Sequence, residues 1–265
     1  MTNLETQGLE EARRLLSSAD ALCVLSGAGV SAESGVPTFR GEDGLWKSHS
    51  PEELATPQAF RRDPRLVWEW YDWRRGKIRG CEPNPWHRAL AKLALGSRRV
   101  RIVTQNVDGL HEAAAREAAA GADPSPALPL ELHGSIFRVR CTKCTYKIPH
   151  RDPIITETPE DLPRCPVCSG LLRPDIVWFG ESLDHGVISE AFRVAQTSQV
   201  CLVVGTSALV HPAASVPLAT QDAGGSIIEV NPTETPLTHL ARVSLRGASG
   251  EILPRLLEGL EAAGT

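Results

Sequence analysis

The sequence lacks both a charge excess and a long hydrophobic run. Its 265 residues carry 28 basic and 32 acidic side chains, for a net charge of −4. A charge of that size does not draw a protein to nucleic acid or to an anionic membrane. No stretch reaches the ~20 apolar residues of a membrane span, and residues 1–20 are polar, without the hydrophobic core of a secretory signal. We therefore expect a soluble cytoplasmic protein that binds neither nucleic acid nor membrane.

Cysteine is present in an odd number, seven, so the thiols cannot all pair. Four of them form two Cys-x-x-Cys motifs with twenty residues between them, and in a reducing compartment this spacing favours a metal over disulfides. Four thiolates are the ligand set of a closed tetrahedral zinc site, which leaves no position for water or substrate. Two disulfides or chance pairing is the alternative. The predicted ligands of one structural zinc are Cys141, Cys144, Cys165 and Cys168.

Short apolar runs without alternation recur along the chain, at residues 21–25, 100–103, 200–204 and 227–230. Such runs are typical of strands buried on both faces of a parallel sheet. Further strands are expected at 128–132 and 136–139, and helical spacing is seen at 4–16 and 252–260. The pattern predicts an α/β fold with a doubly wound parallel sheet.

Two insertions interrupt this pattern. Residues 42–93 are rich in Trp, Pro and charge and are expected to be mostly helical, and residues 136–175 carry the paired cysteines. The sheet is then expected to be built from residues 1–41, 94–135 and 176–265, with 42–93 as a helical insertion and 136–175 as a zinc-binding insertion.

A glycine-rich turn follows the first apolar run directly, at residues 27–41. Gly27 and Gly29 lack a Cβ, so the backbone can take positive φ and its N–H groups can approach a pyrophosphate. A helix starting near Ser31 would add its positive end. With Ala32 the glycines match G-x-G-x-x-G/A, a weak signal by itself, and no acidic residue follows a second strand about 20 residues on. We predict a variant nucleotide-binding loop, with an ordinary glycine turn as the alternative.

Polar residues also follow two further apolar runs that are predicted to be strands. Residues 105–108, Gln-Asn-Val-Asp, come after the strand predicted at 100–103, where open α/β sheets bind ligands. These side chains can hold a ribose or a carboxamide, or they can merely cap the next helix. His133 also follows a predicted strand, and a histidine that titrates near neutrality can take a proton from a hydroxyl. Of the eight histidines, only His133 and His111 adjoin such loops.

Several motifs in register resemble one family. The glycine-rich loop, residues 105–108, Leu132-His133-Gly134 and the paired cysteines occur in the order found in sirtuins, the NAD-dependent protein lysine deacylases. Residues 177–181 (Val-Trp-Phe-Gly-Glu) resemble the family's substrate strand, and 205–207 and 231–233 resemble its two later nucleotide loops. The resemblance covers nearly the whole chain from residue 19 onward.

This resemblance implies a Rossmann-like NAD-binding domain, residues 1–41, 94–135 and 176–265, and a small helical plus zinc-ribbon domain with 42–93 as its helical insertion and 136–175 as its zinc-binding module. The active site would lie in the cleft between the two domains, where NAD is consumed. In the family's mechanism the acyl oxygen of a modified lysine attacks C1′ of the nicotinamide ribose, which releases nicotinamide and leaves an alkylimidate. His133 would then be the general base that activates a ribose hydroxyl. The products are nicotinamide, free lysine and O-acyl-ADP-ribose, and the expected partners are acyl-lysine proteins or peptides. Asn106, beside the nicotinamide, is the second residue assigned to catalysis.

The resemblance also implies the binding residues. The implied cofactor contacts are Gly27, Ala28, Gly29, Ser31, Thr38, Phe39, Arg40, Trp46, Gln105, Asn106, Val107, Asp108, Gly205, Thr206, Ser207, Asn231, Pro232, Thr233 and Ser249. The implied substrate contacts are Ala55, Tyr71, Arg74, Val177, Trp178, Phe179, Gly180 and Glu181.

The acyl group that is removed is indicated by residues 65–79, which predict a helix with Tyr71 and Arg74 on one face. A guanidinium pairs with a carboxylate, and a phenol can add a hydrogen bond. Spacing alone favours a surface helix whose Arg74 faces water. However, Tyr-x-x-Arg here resembles the sirtuin subgroup that removes succinyl, malonyl or glutaryl groups, and Ala55 resembles the small residue that widens its pocket. The hypothesis is deacylation of acidic acyl-lysines, with deacetylation as a weaker second activity.

Three other functions remain open on the sequence. One is a protein deacetylase without acidic-acyl preference, one is a protein ADP-ribosyltransferase, and one is a non-catalytic sensor of NAD or ADP-ribose. The presence of His133 and Asn106 argues against the sensor, because binding alone needs no base. One departure from the family is the long span before Glu131, where residues 117–126 look inserted.

Overall fold

The computed structural model describes residues 3–37, 51–258 and 260. Its helices are α1 (Asn3–Ser18), α2 (Gly29–Ala32), α3 (Pro51–Leu54), α4 (Pro57–Arg62), α5 (Pro64–Arg79), α6 (Pro85–Leu95), α7 (Leu110–Ala119), α8 (His185–Gln196), α9 (Val216–Asp222) and α10 (Ser249–Leu257). Its strands are β1 (Ala21–Ser26), β2 (Arg99–Thr104), β3 (Leu130–Glu131), β4 (Gly134–Cys141), β5 (Lys147–Pro149), β6 (Leu172–Ile176), β7 (Val200–Val204), β8 (Ser226–Asn231) and β9 (Val243–Arg246).

The larger sheet has six parallel strands in the order β3-β2-β1-β7-β8-β9. Alternate residues of β1 enter different apolar clusters: Val24 packs with residues of α1, α6, α7 and α10, and Leu25 packs with residues of α8 and α9. Because both faces are covered, the strand reads as a continuous apolar run. The predicted α/β fold with a doubly wound parallel sheet is confirmed.

A smaller antiparallel sheet, in the order β5-β4-β6, lies in the cysteine-bearing part of the chain. Its apolar residues share a third cluster with α4 and α5, in which Trp68, Tyr71, Ile136 and Trp178 are buried. The expected combination of helices and a zinc ribbon is therefore present, and one apolar core joins the two.

Several predicted boundaries differ from the observed ones. The strand expected at 128–132 is reduced to β3, because only two residues pair with β2. The helix expected at 252–260 begins at Ser249 and ends at Leu257. Strand β9 was missed, because its alternation of buried and exposed residues at the sheet edge gives no continuous apolar run.

Helix α6 packs on the larger sheet, although residues 42–93 were assigned to the helical insertion. Trp86 and Leu90 belong to the same cluster as Leu22 and Val100, and Asn84 Nδ2 donates to the Val30 carbonyl at 2.7 Å. The division into domains stays a prediction, and this packing favours a boundary before α6.

The inserted-looking segment continues α7 into a short 3₁₀ turn, Ser125–Ala127. Ala127 is fully buried in the cluster that contains α6, so the end of the segment is anchored to the core. Among the helices of the described residues, none has the length and apolarity needed to cross a membrane. The cellular compartment and the absence of nucleic-acid binding stay predictions.

Candidate active site and metal site

The loops that follow β1, β2 and β7 meet at the carboxyl edge of the six-stranded sheet. Strand order reverses here, since β2 lies on one side of β1 and β7 on the other, and ligands of open α/β sheets bind at such a point. The Gly27 N–H donates to the Val204 carbonyl at 2.9 Å, and Gln105 Nε2 donates to Thr206 Oγ1 at 2.9 Å. Three of the predicted nucleotide loops are thus interlocked.

The glycines of the first loop are required by close backbone approach. A Cβ on Gly27 would lie 2.7 Å from the Gly205 carbonyl oxygen, and one on Gly29 would lie 2.8 Å from Gly205 Cα. The positive φ expected at Gly27 and Gly29 is wrong, because of these three glycines only Gly205 has one, at +60°. The helix expected near Ser31 is α2, which begins at Gly29 and has four residues. A single turn adds little helix dipole, and the Gly27 and Gly29 N–H groups already donate to the Val204 and Gly205 carbonyls.

Asn106 and Asp108 are both buried behind this edge. Asn106 Nδ2 donates to Ser31 Oγ at 3.0 Å, and Asp108 Oδ1 accepts from the Leu110 N–H at 2.9 Å. Burial raises the pKa of Asp108, and the bond from Leu110 opposes that rise. Asp108 therefore has the capping role considered as an alternative, because Leu110 begins α7, whereas Asn106 is tied to the glycine-rich loop.

His133 lies between β3 and β4, half-buried at the same edge. Its Nδ1 is 3.0 Å from the Gln105 carbonyl oxygen. A carbonyl only accepts, so Nδ1 carries the proton and Nε2 keeps its lone pair. Burial lowers the pKa of His133, and the hydrogen bond to Gln105 offsets part of that effect. The imidazole is therefore neutral near pH 7 and suited to accept a proton at Nε2.

His111, the other histidine next to a strand-end loop, is buried in the interior. Its Nε2 lies 2.9 Å from Ser26 Oγ, and its ring centroid is 4.7 Å from that of His87. It therefore supports the loops from behind, and His133 is the histidine that remains for proton transfer.

The loop after β8 is held by a carboxylate that the sequence analysis missed. Glu229 is 1% exposed and accepts from the Ser244 hydroxyl at 2.6 Å and from Arg246 Nη1 at 3.1 Å, besides the hydroxyls of two loop threonines. Arg246 also donates to the Thr233 carbonyl at 2.9 Å, and Asn231 Nδ2 donates to the same oxygen at 2.9 Å. The available signal was a single acid inside an apolar strand, which must be hydrogen-bonded when buried.

Ser249, predicted at the adenine end, begins α10. Its Oγ donates to Glu33 Oε1 at 3.1 Å, and the Gly250 N–H donates to the same atom at 2.8 Å. Glu33, which lies within the glycine-rich loop, thus connects this loop to the predicted contact, and no sequence motif pointed to it.

The acyl-side residues come together inside the third apolar cluster. Tyr71 is 1% exposed and Arg74 is 8% exposed, so the alternative of a water-facing helix is wrong. Burial raises the pKa of Tyr71 to about 12, although Arg74 and a hydrogen bond from Trp178 oppose it. Burial lowers the pKa of Arg74, with Tyr71 and Asp108 acting in the opposite direction. Its Cζ lies 5.0 Å from the ring centroid of Trp70.

The segment 177–181, expected to contain a strand, lies beyond the end of β6 at Ile176 and has no strand of its own. Two backbone bonds hold it: Val177 N–H donates to the His133 carbonyl and Phe179 N–H to the Ala55 carbonyl, both at 3.0 Å. Phe179 is 47% exposed. The segment therefore joins the general-base candidate to the predicted acyl pocket.

Glu181, at the end of this segment, is bound to arginine. Its two carboxylate oxygens accept from Arg173 at 2.6 and 2.8 Å. Desolvation raises its pKa, but the bonds from Arg173 and from the Trp178 N–H outweigh this, so the pKa of Glu181 lies below its usual value.

The four cysteines form one cluster. Their sulfur atoms lie within 4.8 Å of one another, with Cys141–Cys168 at 3.4 Å and Cys144–Cys165 at 3.6 Å. Sulfur atoms about 3.8 Å apart are what a tetrahedral zinc with Zn–S bonds of about 2.3 Å requires. The cluster fits the predicted structural zinc, and four protein ligands leave no open position. The predicted contacts Thr38, Phe39, Arg40 and Trp46 lie outside the described residues.

A model of the Sir2 family matches residues 27–212 of this chain. The chain belongs to the Sir2 family. The NAD-dependent protein deacylase of Pyrococcus abyssi is 50% identical over 253 residues, which cover 94% of this chain and 96% of that protein. The protein of the same name from Thermococcus kodakarensis is 49% identical over 255 residues, 94% of each. The resemblance to sirtuins stated from the motifs is confirmed.

Solved structures of this family agree with the fold. A Sir2 homologue in complex with NAD is 45% identical, with a TM-score of 0.86, and the match covers 97% of this chain and 95% of that one. Sir2 bound to an acetylated peptide is 29% identical, with a TM-score of 0.79, and the match covers 94% and 97%. The site positions assigned above in this sirtuin stay predictions.

Proposed function

We propose that this sirtuin is an NAD-dependent protein lysine deacylase that prefers acyl groups ending in a carboxylate. The observation that carries the acyl preference is the burial of Arg74 beside Tyr71 in an otherwise aromatic and aliphatic cluster. The family and the names of its relatives support the deacylase activity, and succinyl-, malonyl- or glutaryl-lysine is the finer assignment.

The residues fit NAD. A buried amide and a buried carboxylate lie on loops that meet where strand order reverses, and the glycines let these loops approach closely. When bound, NAD supplies the electrophilic ribose carbon and the nicotinamide leaving group. Gly27 and Gly29 would lie at the phosphates, Asn231 and Ser249 at the adenosine, and Asn106 and Asp108 around the nicotinamide and its ribose.

Within this arrangement each group of the protein has its own proposed role. The Asn106 amide is oriented by Ser31, which fixes how it presents its oxygen. His133 keeps Nε2 unprotonated because Nδ1 donates to Gln105, so Nε2 takes the proton from a ribose hydroxyl. The zinc contributes folding energy to the module, since its ligands are all protein thiolates.

The acyl preference follows from desolvation. A buried guanidinium has lost most of its hydration, and its interaction with an anion is strengthened by the low local dielectric. A succinyl group brings a carboxylate to Arg74 and Tyr71, whereas an acetyl group brings only a methyl. We therefore expect the terminal carboxylate to account for most of the selectivity.

The test compares peptides that differ only in the acyl group. With NAD and the purified protein, mass spectrometry should show nicotinamide, unmodified lysine and O-succinyl-ADP-ribose, with kcat/KM for succinyl-lysine about tenfold or more above that for acetyl-lysine. Arg74→Met should reduce the succinyl value about 10²-fold, because a buried charged contact is lost. Arg79→Met, at an exposed position of the same helix, serves as the control.

Other outcomes identify the other functions. A preference for acetyl-lysine that Arg74→Met leaves unchanged would make the protein a deacetylase without acidic-acyl preference. Label transferred from NAD to protein would indicate an ADP-ribosyltransferase, and NAD recovered intact would indicate a sensor.

A further inference from the structure

The indole of Trp178 donates its Nε1–H to the hydroxyl oxygen of Tyr71 at 2.8 Å. An indole N–H can only donate, so the phenol oxygen must be the acceptor in this bond. The phenol has a single hydrogen of its own. Because the phenol oxygen accepts from Trp178, the phenol hydrogen remains available to donate to another group.

We infer that Trp178 is a positioning residue that makes the Tyr71 hydroxyl a hydrogen-bond donor to the acyl carboxylate and so contributes to acyl-group selectivity. The inference rests on the proposed function and gives Trp178 a positioning role within it. A carboxylate only accepts hydrogen bonds, so a phenol committed to donation matches an acidic acyl group and gives an acetyl methyl no partner.

The indole is held firmly enough to impose this direction. Trp178 is 2% exposed, and the Arg173 guanidinium lies over its ring, with Cζ 3.2 Å from the centroid. The Phe60 ring packs nearby at 5.4 Å between centroids. Glu181 accepts from Arg173 and also from the Trp178 backbone N–H at 2.9 Å. The ring and its backbone are therefore fixed by the same carboxylate.

The phenol is equally constrained. Tyr71 is buried with the edge of the Trp70 ring against it, at 4.6 Å between centroids and 80° between planes. Burial holds it in the neutral form, with a pKa of about 12. A neutral phenol retains the hydrogen that donation requires.

The test separates the hydrogen bond from ring packing. Trp178→Phe keeps an aromatic ring and removes the N–H, and Tyr71→Phe removes the hydroxyl. The matched control is Trp68→Phe. Trp68 lies on the same helix as Tyr71 and in the same apolar cluster as Trp178, but its Nε1 donates at 2.9 Å to the Leu172 carbonyl and not to Tyr71. Dissociation constants of succinyl- and acetyl-lysine peptides are measured by calorimetry without NAD, together with kcat/KM for both and the melting temperature.

The expected result is a selective loss. Trp178→Phe and Tyr71→Phe should each lower the succinyl-to-acetyl ratio about tenfold in affinity and in kcat/KM, the size of a charge-assisted hydrogen bond. The double variant should lose little more than either single variant, since both remove the same contact. Trp68→Phe should lower the melting temperature and keep the ratio.

Contrary results are distinguishable from a failure of the proposed function. If Trp178→Phe lowers affinity and kcat/KM equally for succinyl- and acetyl-lysine peptides, Trp178 has only a packing role and the inference is overturned. If Trp178→Phe does not fold, an unchanged ratio in Tyr71→Phe overturns it. A wild-type preference for succinyl-lysine that depends on Arg74 but on neither aromatic residue would keep the function and reject the inference. No succinyl preference in the wild type would reject both.

Discussion

The proposed cofactor half and the proposed acyl half of this site are built in different ways. The cofactor half consists of loops at strand ends, locked by backbone bonds such as Gly27 N–H to Val204 and by short polar side chains. The acyl half is formed by bulky side chains far apart in sequence, since Tyr71 and Trp178 are separated by 107 positions. Backbone geometry fixes the first half, whereas the packing of one apolar cluster fixes the second. Substitutions in each half should therefore fail in different assays.

The largest expected effect is on chemistry, where both halves meet. His133→Ala should reduce kcat by roughly 10²- to 10⁴-fold, because it removes the proposed general base. Binding of ADP-ribose and of acyl peptide should stay within a few-fold of the wild type, as measured by calorimetry. His185→Ala, at an exposed position at the start of α8, should keep full activity. Turnover by His133→Ala close to that of the wild type would contradict the assignment.

Loss of zinc should act on the acyl half first. In Cys165→Ser, the smaller sheet loses a metal ligand, and this sheet shares its core with α5 and Trp178. We expect acyl-peptide affinity to fall by more than roughly tenfold, because structural zinc supplies folding free energy. ADP-ribose binding on the six-stranded sheet should persist.

Metal analysis checks directly whether the four-cysteine cluster binds zinc. Wild-type protein should hold close to one equivalent of zinc, and Cys81→Ser, at a half-buried thiol outside the cluster, should hold the same. Equal losses of acyl-peptide and ADP-ribose binding in Cys165→Ser would show that the two halves are not independent.

A methyl group in the glycine-rich loop should act on the cofactor half. In Gly27→Ala the new Cβ meets the Gly205 carbonyl oxygen at 2.7 Å, so backbone must move. We expect KM for NAD to rise roughly tenfold, in line with the cost of overpacking, with acyl-peptide affinity unchanged. Gly76→Ala adds the same methyl where nothing lies within 4 Å and should leave both unchanged. A rise in the peptide dissociation constant with Gly27→Ala would contradict the separation.

The smallest expected effect is a shift in pH dependence. Burial places the pKa of His133 below the ordinary 6.5. Only the neutral imidazole can act as the proposed base, so kcat/KM should stay flat from pH 7 downward and then fall as the pH drops through this lowered pKa. An acidic limb at or above pH 6.5 would show that the imidazole is less desolvated than the structure indicates.

The same contrast explains what the sequence could predict. The predicted nucleotide loops, His133 and the four cysteines are short local patterns, and the inner parallel strands are apolar runs, so these could be located from the sequence, whereas the edge strand β9 could not. The packing requirement for glycine at position 27 could not be predicted, because it depends on Gly205 in the loop after the neighbouring strand. The buried state of Arg74 and the bond from Trp178 to Tyr71 depend on packing between distant segments. Glu229 was visible as an acid in an apolar strand but required its partners to be understood.

The position of His133 has a mechanical consequence. Only Leu132 and His133 separate β3 of the larger sheet from β4 of the smaller one, and a Cβ at Gly134 would collide with the Asp175 carbonyl. The backbone that carries the imidazole is therefore a direct covalent link between the two sheets, and the placement of the ring depends on how the sheets are set against each other.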